Sequence, residues 1–379
     1  MKALIFSVAY HPFVGGAEIA VKEITDRISD IEFHMVTVNI DGRQKNQEKI
    51  GNVLVHRVSA GFLGHGYIGR LFFPFTGALK ALALHRDHKF DITWSIMANY
   101  AGFAALFFKF VKPQVPFVLT LQEGDPISYI KRHVWFVYPL FVQIFRRADR
   151  IQTISNYLAD FARSMGARAP IEVIPNGVDV SIFDRDYPAD ELESLKNKYG
   201  GKNPEDIFLI TTSRLVVKNG IADVIKALEI LPSNIKFLVL GVGLLESSLR
   251  KLAQVCGVSD RVIFVGQVSY SEILKFLKIS DIFIRPSLSE GMGNSFIEAM
   301  AAGLPVIATR VGGIPDFLFE GQTGISCEVK SPKSIAEKVQ MLVSDANLRA
   351  NLISNAKKMV RERYDWELIA SQMKDVFNP

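Results

Sequence analysis

One stretch, residues 281–309, constrains the fold more than any other part of the chain. Two apolar runs typical of buried strands, residues 281–284 and 306–309, flank a loop rich in Pro, Ser and Gly. A short helical pattern follows the loop and ends at Gly303 and Pro305. Strand, glycine loop, helix and strand form the unit with which parallel sheets present backbone N–H groups and a helix N-terminus to phosphate. The segment therefore predicts an α/β fold with a phosphate-binding loop.

Two glutamates of this stretch, Glu290 and Glu298, are candidate functional groups. Surface exposure is the ordinary state of glutamate, and for these residues alone it would be the favoured interpretation. Glu298, however, lies in the run 296–302, whose other residues are apolar and leave it little access to solvent. A carboxylate in such surroundings needs a partner. The hydroxyl groups of a sugar or a ribose would serve.

The wider pattern around these glutamates resembles the retaining glycosyltransferases of family 4, which have the GT-B fold. The resemblance extends through residues 311–316 and 321–324. It implies two Rossmann-like domains that face a cleft, with a C-terminal helix that crosses back to the N-terminal domain. The residues that carry it around the glutamates are Pro286, Ser287, Glu290, Gly291, Gly293, Glu298, Ala299, Met300, Ala301, Gly303, Pro305, Val306, Ile307 and Ala308.

A chain of 379 residues has room for two domains. The turn-forming segment 174–179 is similar to the linker of the family, and residues 364–366 resemble the aromatic element that precedes its last helix. We therefore expect an N-terminal acceptor-binding domain of residues 1–175 plus 366–379 and a C-terminal nucleotide-sugar-binding domain of residues 176–365. The polar stretch from residue 180 to about 205 has the composition of a connector.

Apolar runs alternate with helical patterns along most of the chain, which predicts doubly wound parallel sheets. In the second half, Gly241 and Gly243 follow a strand, but Glu246 occupies the place of the third glycine of a dinucleotide fingerprint, so a packing turn is expected. The predicted strands are residues 4–8, 33–38, 91–94, 117–120, 151–154, 172–174, 207–212, 237–240 and 262–265.

The loop after residues 207–212 contains Arg214 and Lys218, which would by themselves be interpreted as solvated charges. The resemblance implies that Arg214 stabilises the departing diphosphate, since a guanidinium matches phosphate geometry. The family usually has its lysine five residues after the arginine. This chain has Asn219 there, so Lys218 is the candidate for that role.

The resemblance also implies that Glu298 binds the ribose hydroxyls and that Glu290 binds the hydroxyls of the donor sugar. The expected catalytic residues are Arg214, Lys218, Glu290 and Asp125. The expected donor-binding residues are Gly16, Arg214, Lys218, Gln267, Val268, Glu290, Gly291, Met292, Gly293, Asn294, Ser295 and Glu298.

Two loops of the N-terminal half are candidates for the same cleft. Gly15 and Gly16 alone favour a tight strand-to-helix turn, whereas the family places this loop near the donor diphosphate. Gln122 occupies the place of a family histidine and cannot act as a base. Glu123 and Asp125 beyond it would position an acceptor hydroxyl, or are ordinary turn carboxylates.

The charge of the chain is unevenly distributed. Residues 1–175 carry +6 and the remainder −1, and 17 of the 27 phenylalanines lie in the first 161 residues. Aromatic residues alternate with cations in segments 61–83 and 129–147, a composition typical of a membrane-touching surface. An aromatic core with a solvated cationic rim explains the same pattern, and the residues do not decide between the two.

Two cysteines are too few for a disulfide framework, and no apolar run is long enough to span a membrane. We expect a cytoplasmic enzyme, either free or peripheral on the inner face of a membrane, that uses no metal or other cofactor and binds no nucleic acid. The expected reaction is retaining transfer from a nucleotide-sugar to a glycan or lipid-linked acceptor. A non-catalytic nucleotide-sugar-binding subunit and a nucleotide-sugar epimerase remain alternatives.

Overall fold

The computed structural model describes residues 1–13, 15–59, 67–200 and 203–378. The chain divides into two compact units. Unit 1 consists of Met1–Asn176 with Trp366–Pro379, and unit 2 consists of Gly177–Asp365. Each unit is built on a largely parallel sheet with helices between the strands, which confirms the predicted α/β class.

Unit 1 contains an eight-stranded sheet in the order β3-β4-β2-β1-β5-β6-β7-β8. Its strands are β1 Lys2–Phe6, β2 Glu32–Val38, β3 Gln47–Ile50, β4 Val53–Val58, β5 Ile92–Ile96, β6 Phe117–Leu121, β7 Arg150–Thr153 and β8 Ile171–Val173. Its helices are α1 Gly16–Arg27, α2 Tyr67–His88, α3 Tyr100–Val111, α4 Ile127–His133, α5 Tyr138–Arg147 and α6 Asn156–Ser164, with a 3₁₀ turn at Trp135–Val137. The strand order reverses at β1, so the loops after β1 and β5 flank a topological switch point.

Unit 2 contains a six-stranded parallel sheet in the order β11-β10-β9-β12-β13-β14. Its strands are β9 Ile207–Thr212, β10 Ile235–Leu240, β11 Val262–Gly266, β12 Ile282–Arg285, β13 Val306–Ala308 and β14 Ile325–Ser326. Its helices are α7 Val180–Phe183, α8 Ala189–Lys198, α9 Ile221–Ala227, α10 Glu246–Val255, α11 Tyr270–Lys278, α12 Asn294–Ala302, α13 Pro332–Ser344 and α14 Ala346–Arg363.

The last helix, α15 Trp366–Phe377, packs within unit 1. Its Phe377 ring lies 6.0 Å from Phe33 and 5.0 Å from Trp94, centroid to centroid. Arg27 of α1 donates a hydrogen bond of 2.9 Å to Glu367. Burying a large apolar side chain stabilises a fold by about 1.5–3 kcal/mol, so the aromatic contacts hold this helix more firmly than the exposed ion pair does.

Two features differ from the sequence-based expectation. The hairpin of β3 and β4 was not predicted, because β3 is short and half-exposed and shows no apolar run; it pairs antiparallel at the sheet edge. The polar stretch after residue 180 was predicted as a connector, but it contains α7 and α8. In α8, acidic residues in the first turn and lysines in the last turn favour a helix through the helix dipole, which composition alone does not reveal.

The aromatic segments of unit 1 are divided between core and surface: Phe73, Phe141 and Phe145 are buried, whereas other aromatic residues of the two segments are exposed. The predicted segment 61–83 begins outside the described residues and continues in α2, where Leu71, Phe75 and Leu79 are exposed. In the second segment, Trp135 and Phe136 are 74% and 67% exposed. Among the described residues, no helix is both long and apolar enough to cross a bilayer.

Candidate active site

The loops that follow β9 and β12 meet at the switch point of unit 2, since β9 lies between β10 and β12. The backbone N–H of Leu288 donates to the carbonyl of Lys218 at 2.6 Å. Thr309 Oγ1 donates to the carbonyl of Ser287 at 2.5 Å. The loop of Arg214 and Lys218 is thus fixed against the loop of Glu290.

Glycine is required where these loops touch. A Cβ on Gly220, whose φ is +69°, would lie 2.0 Å from the carbonyl oxygen of Pro286. A Cβ on Gly312, with φ +57°, would lie 1.8 Å from the carbonyl oxygen of Glu290. Gly241 and Gly243 approach the carbonyls of Ser213 and Leu215 in the same way, which confirms their role as a packing turn.

Arg285, the last residue of β12, is the centre of the site and was not identified from the sequence. It is 5% exposed, and its guanidinium lies over the Phe296 ring at 4.2 Å. Its Nη2 donates to Glu290 Oε2 at 2.7 Å and its Nη1 to Ser295 Oγ at 2.7 Å. Nε is buried and has no hydrogen-bond partner among the described residues. A strand-terminal arginine carries no sequence signal for this role, because its partners come from the following loop and helix.

Hydrogen bonds therefore fix the orientation of the Glu290 carboxylate. Its Oε2 accepts from Arg285, and its Oε1 accepts from the backbone N–H of Gly291 at 3.2 Å. Its carbonyl oxygen accepts from the N–H of Gly313 at 3.1 Å. With a side chain 14% exposed, Glu290 retains access to solvent while its orientation is fixed.

Glu298, inside α12, has the buried surroundings that the sequence predicted; the residue is 9% exposed. Burial raises the pKa of its carboxyl to about 7, and the nearby Arg285 guanidinium opposes this only in part. No side-chain hydrogen bond reaches the carboxylate from the described residues. The site thus contains a buried carboxylate that a hydroxyl-bearing ligand would satisfy.

The N-terminus of α12 lies beside this pair. Gly293 adopts φ +93° and precedes the helix, and a Cβ there would lie 2.6 Å from both Arg285 and Phe296. Gly291 and Met292 are buried. Asn294 and Ser295 are half-buried in the first turn, where backbone N–H groups without a partner inside the helix can bind an anion.

Arg214 and Lys218 differ from Asn219 in exposure. Arg214 is exposed and Lys218 half-buried, whereas Asn219 is 5% exposed. The Asn219 side chain donates to the carbonyl of Arg214 at 2.6 Å and so fixes the loop. The residue in the family's lysine position therefore has a structural task here, and Lys218 is the cation that remains beside Arg214.

Gln267 and Val268 follow β11 at the edge of the sheet, two strands from β9. Gln267 is exposed and Val268 half-buried. The loop of Arg214 and Lys218 lies against the loop of Glu290, and Gln267 and Val268 lie at one end of the same carboxyl edge.

Unit 1 has its own row of loops at the carboxyl ends of its strands. Gly16 begins α1, and the N–H of Gly15 donates to Glu18 at 2.7 Å, which closes the turn; Val14 lies outside the described residues. Gln122 is buried and accepts from Asn176 at 3.1 Å.

Glu123 and Asp125 lie in the same loop but differ in how far their side chains are exposed to solvent. Glu123 Oε1 accepts from the N–H of Ala98 at 2.7 Å, while Oε2 is buried without a hydrogen-bond partner in the described chain. Burial raises the pKa of Glu123 to about 7. Asp125 is exposed. Glu123 thus has the more unusual environment, although the sequence favoured Asp125 as the catalytic residue.

The known proteins and family models that this chain matches are glycosyltransferases. The family model described as Glycosyltransferase Family 4 matches residues 14–182, and that described as Glycosyl transferases group 1 matches residues 194–359. An uncharacterized glycosyltransferase of Methanocaldococcus jannaschii is 27% identical over 393 residues, covering 100% of this chain and 98% of that protein. A GDP-mannose-dependent alpha-(1-6)-phosphatidylinositol monomannoside mannosyltransferase of Mycobacterium tuberculosis is 30% identical over 256 residues, 64% of this chain and 66% of that protein.

Solved structures agree on the fold. Anabaena Alr3699/HepE in complex with UDP and glucose matches with a TM-score of 0.83 at 20% identity, covering 100% of this chain and 99% of that one. Sucrose-phosphate synthase from Thermosynechococcus elongatus matches with a TM-score of 0.84 at 21% identity, covering 100% and 98%. The fold and the site define a GT-B glycosyltransferase. Its two halves match the two family models over most of their length, and the chain belongs to glycosyltransferase family 4.

Proposed function

We propose that the chain is a retaining glycosyltransferase that moves a sugar from a nucleoside-diphosphate sugar to a hydroxyl of a lipid-linked or cell-surface glycan. The observation that carries the proposal is the pair of carboxylates at the start of α12. Glu298 is 9% exposed, with a pKa that burial raises, and Glu290 is oriented by Arg285. Hydroxyl groups of the ribose and of the donor sugar are suitable partners for the two.

The diphosphate requires positive charge, which this edge of the sheet supplies. Arg214 and Lys218 lie on the loop after β9, and the first turn of α12 adds its N–H groups. In this proposal they stabilise the charge that develops on the leaving diphosphate. The transfer therefore needs no metal, and we expect turnover without added Mg²⁺ or Mn²⁺.

Retention by a covalent glycosyl-enzyme would need a carboxylate free to attack the sugar. Both oxygens of Glu290 already accept hydrogen bonds, from Arg285 and from the Gly291 N–H. This argues for attack of the acceptor on the same face from which the diphosphate departs, with the leaving phosphate assisting deprotonation. NMR of the product of an α-linked donor should then show an α-linkage, and a β-linkage would contradict the retaining mechanism.

A lipid-linked acceptor is supported by the surface of unit 1. The exposed Trp135 and Phe136 lie three or more residues after Lys131 and Arg132, which are in the last turn of α4. Apolar side chains beside cations suit an anionic bilayer, where each Lys or Arg contributes about 1 kcal/mol. The similar mannosyltransferase of Mycobacterium tuberculosis has a phosphatidylinositol-based acceptor by its name.

Cosedimentation with anionic liposomes at low salt tests the membrane contact. We expect binding by the wild type and loss of binding in a Trp135→Ser, Phe136→Ser variant. Leu244→Ser is the matched control, because Leu244 is 96% exposed but lies in unit 2. Failure of the wild type to bind, or equal loss in the control, would contradict the assignment.

Steady-state kinetics test the roles in the donor site. Glu298→Ala should chiefly raise the KM for the donor, since it removes a ground-state contact. Arg214→Ala should chiefly lower kcat by about 100-fold, equivalent to about 3 kcal/mol. Arg250→Ala, which removes an exposed arginine of α10, should leave both unchanged. Nucleotide binding without turnover of any donor would instead identify a non-catalytic binding subunit.

A further inference from the structure

A cluster of two histidines and a glutamate lies where β2 of the unit 1 sheet begins, at the end opposite the loops that follow the strands. Glu32 and His34 are at the start of β2, and His88 is the last residue of α2. Their side chains each offer one ligand atom, and these atoms all lie within 4.8 Å of one another. None of the three takes part in the proposed transfer reaction. We propose that Glu32, His34 and His88 form a binding site for a divalent transition-metal ion, Zn²⁺ in the first instance.

The donor set fits zinc. Imidazole nitrogens and a carboxylate are ordinary zinc ligands, at about 2.0–2.2 Å from the ion. Ligand atoms around a tetrahedral ion at those distances lie about 3.4 Å apart. His34 Nε2 and Glu32 Oε1 lie 2.8 Å apart, and all three ligand atoms lie within 4.8 Å of one another, so small side-chain movements would bring them to these separations. Two histidines and one carboxylate leave a fourth position for water.

The fold holds the central ligand in place. His34 is 1% exposed and pairs with Leu54 of β4, which puts His56 on the same face of the sheet. His34 Nδ1 lies 3.1 Å from His56 Nε2. Nε2–H donates to the Glu32 carboxylate at 2.8 Å. An ion bound at Nε2 would displace that proton, and Nδ1–H would then donate to His56. This is the usual support of a metal-binding histidine, whose second nitrogen is fixed by a neighbour.

The charges around the cluster are compatible with a cation that enters from solvent. The Glu32 side chain is 53% exposed and His88 is half-buried, so the site opens at the surface. Lys2 Nζ lies 3.6 Å from the other oxygen of Glu32 and competes with a bound ion for that carboxylate.

The test is zinc binding to the full chain after removal of any affinity tag and of bound metal. Zn²⁺ is titrated in competition with a chromophoric chelator at pH 7.5. We expect one tightly bound ion per chain in the wild type. Glu32→Gln and His88→Gln should each abolish stoichiometric binding, and His56→Phe should weaken it about 10- to 100-fold. Lys2→Gln should tighten it, because the competing ammonium is gone.

His133→Gln serves as the matched control, since His133 is exposed on α4 and lies outside the cluster. Circular dichroism confirms that each variant is folded; Glu32 is exposed, so its variant tests the site without disturbing the core. Absence of stoichiometric zinc on the wild type overturns the proposal. So does binding that survives the Glu32→Gln, His88→Gln double variant or that is lost in His133→Gln. None of these results bears on nucleotide binding by unit 2.

Discussion

Glu298→Gln should stabilise unit 2 at pH 8, although it removes a residue of the proposed donor site. Burial raises the pKa of Glu298 from 4.5 to about 7 in the folded chain. Between these two pH values the folded chain binds more protons than the unfolded chain, so stability falls as the pH rises from about 4.5 to about 7. A difference of about 2.5 pKa units corresponds to about 3 kcal/mol. Glutamine has no charge to bury and avoids this loss.

Urea unfolding of wild type and variant at pH 4.5 and pH 8 measures the effect. We expect Glu298→Gln to raise the free energy of unfolding of unit 2 by about 3 kcal/mol at pH 8 and by much less at pH 4.5. Arg285 keeps its bond to Glu290 in the variant, so no buried cation is left alone. Glu193→Gln, an exposed residue of α8, should change stability by less than about 0.5 kcal/mol at either pH. A Glu298→Gln protein that is less stable at pH 8 would refute the reasoning, because Glu298 would then have a stabilising partner.

Three further predictions concern the other fixed groups. Arg285→Ala should destabilise unit 2 by about 3–5 kcal/mol in urea unfolding, because it leaves the Glu290 carboxylate unpaired. Adding Glu290→Gln should restore part of the lost stability. If the effects of the two substitutions on stability are fully additive, the pairing is contradicted. Gly312→Ala should lower the free energy of unfolding by about 3 kcal/mol and lower the transfer rate, because it displaces Glu290. Gly257 also has a positive φ, +67°, but open space surrounds its Cβ position, so Gly257→Ala should lower the free energy of unfolding by only about 1 kcal/mol. Glu123→Gln should stabilise unit 1 in thermal unfolding at pH 8 but not at pH 4.5. Burial raises the pKa of Glu123 to about 7, so the buried carboxylate loses its proton and destabilises the folded chain as the pH rises between 4.5 and 7. An equal effect at both pH values would contradict the protonation argument.

The sequence predicted the elements whose physics is local. Buried parallel strands are continuous apolar runs, and the predicted strands of both units are present in the structure. The helix from Asn294 ends at Gly303, which adopts φ +88° as a C-terminal glycine does. Glu298 was recognisable because its apolar neighbours along the helix implied burial. Each of these inferences needed only the residues adjacent in the chain.

The remaining features depend on contacts that the sequence does not display. Arg285 is distinguished by Glu290, Ser295 and Phe296, which the loop brings around it. The task of Asn219 depends on its bond to the carbonyl of Arg214. The histidine cluster combines residues from β2, β4 and α2 that are far apart in the chain. Within the hairpin of β3 and β4, β3 is short and half-exposed, so no apolar pattern marks it.

Nucleotide binding tests the central claim most directly. Isothermal titration of the wild type with UDP, GDP and ADP, repeated on Glu298→Ala, measures whether unit 2 holds a nucleoside diphosphate through its ribose. The account predicts that at least one nucleotide binds with one site per chain and that Glu298→Ala weakens its binding by about 10-fold or more, as loss of about 1.4 kcal/mol requires. If none of the three binds, or if the variant binds as tightly as the wild type, the buried carboxylate is not the ribose ligand and the account of the site is contradicted.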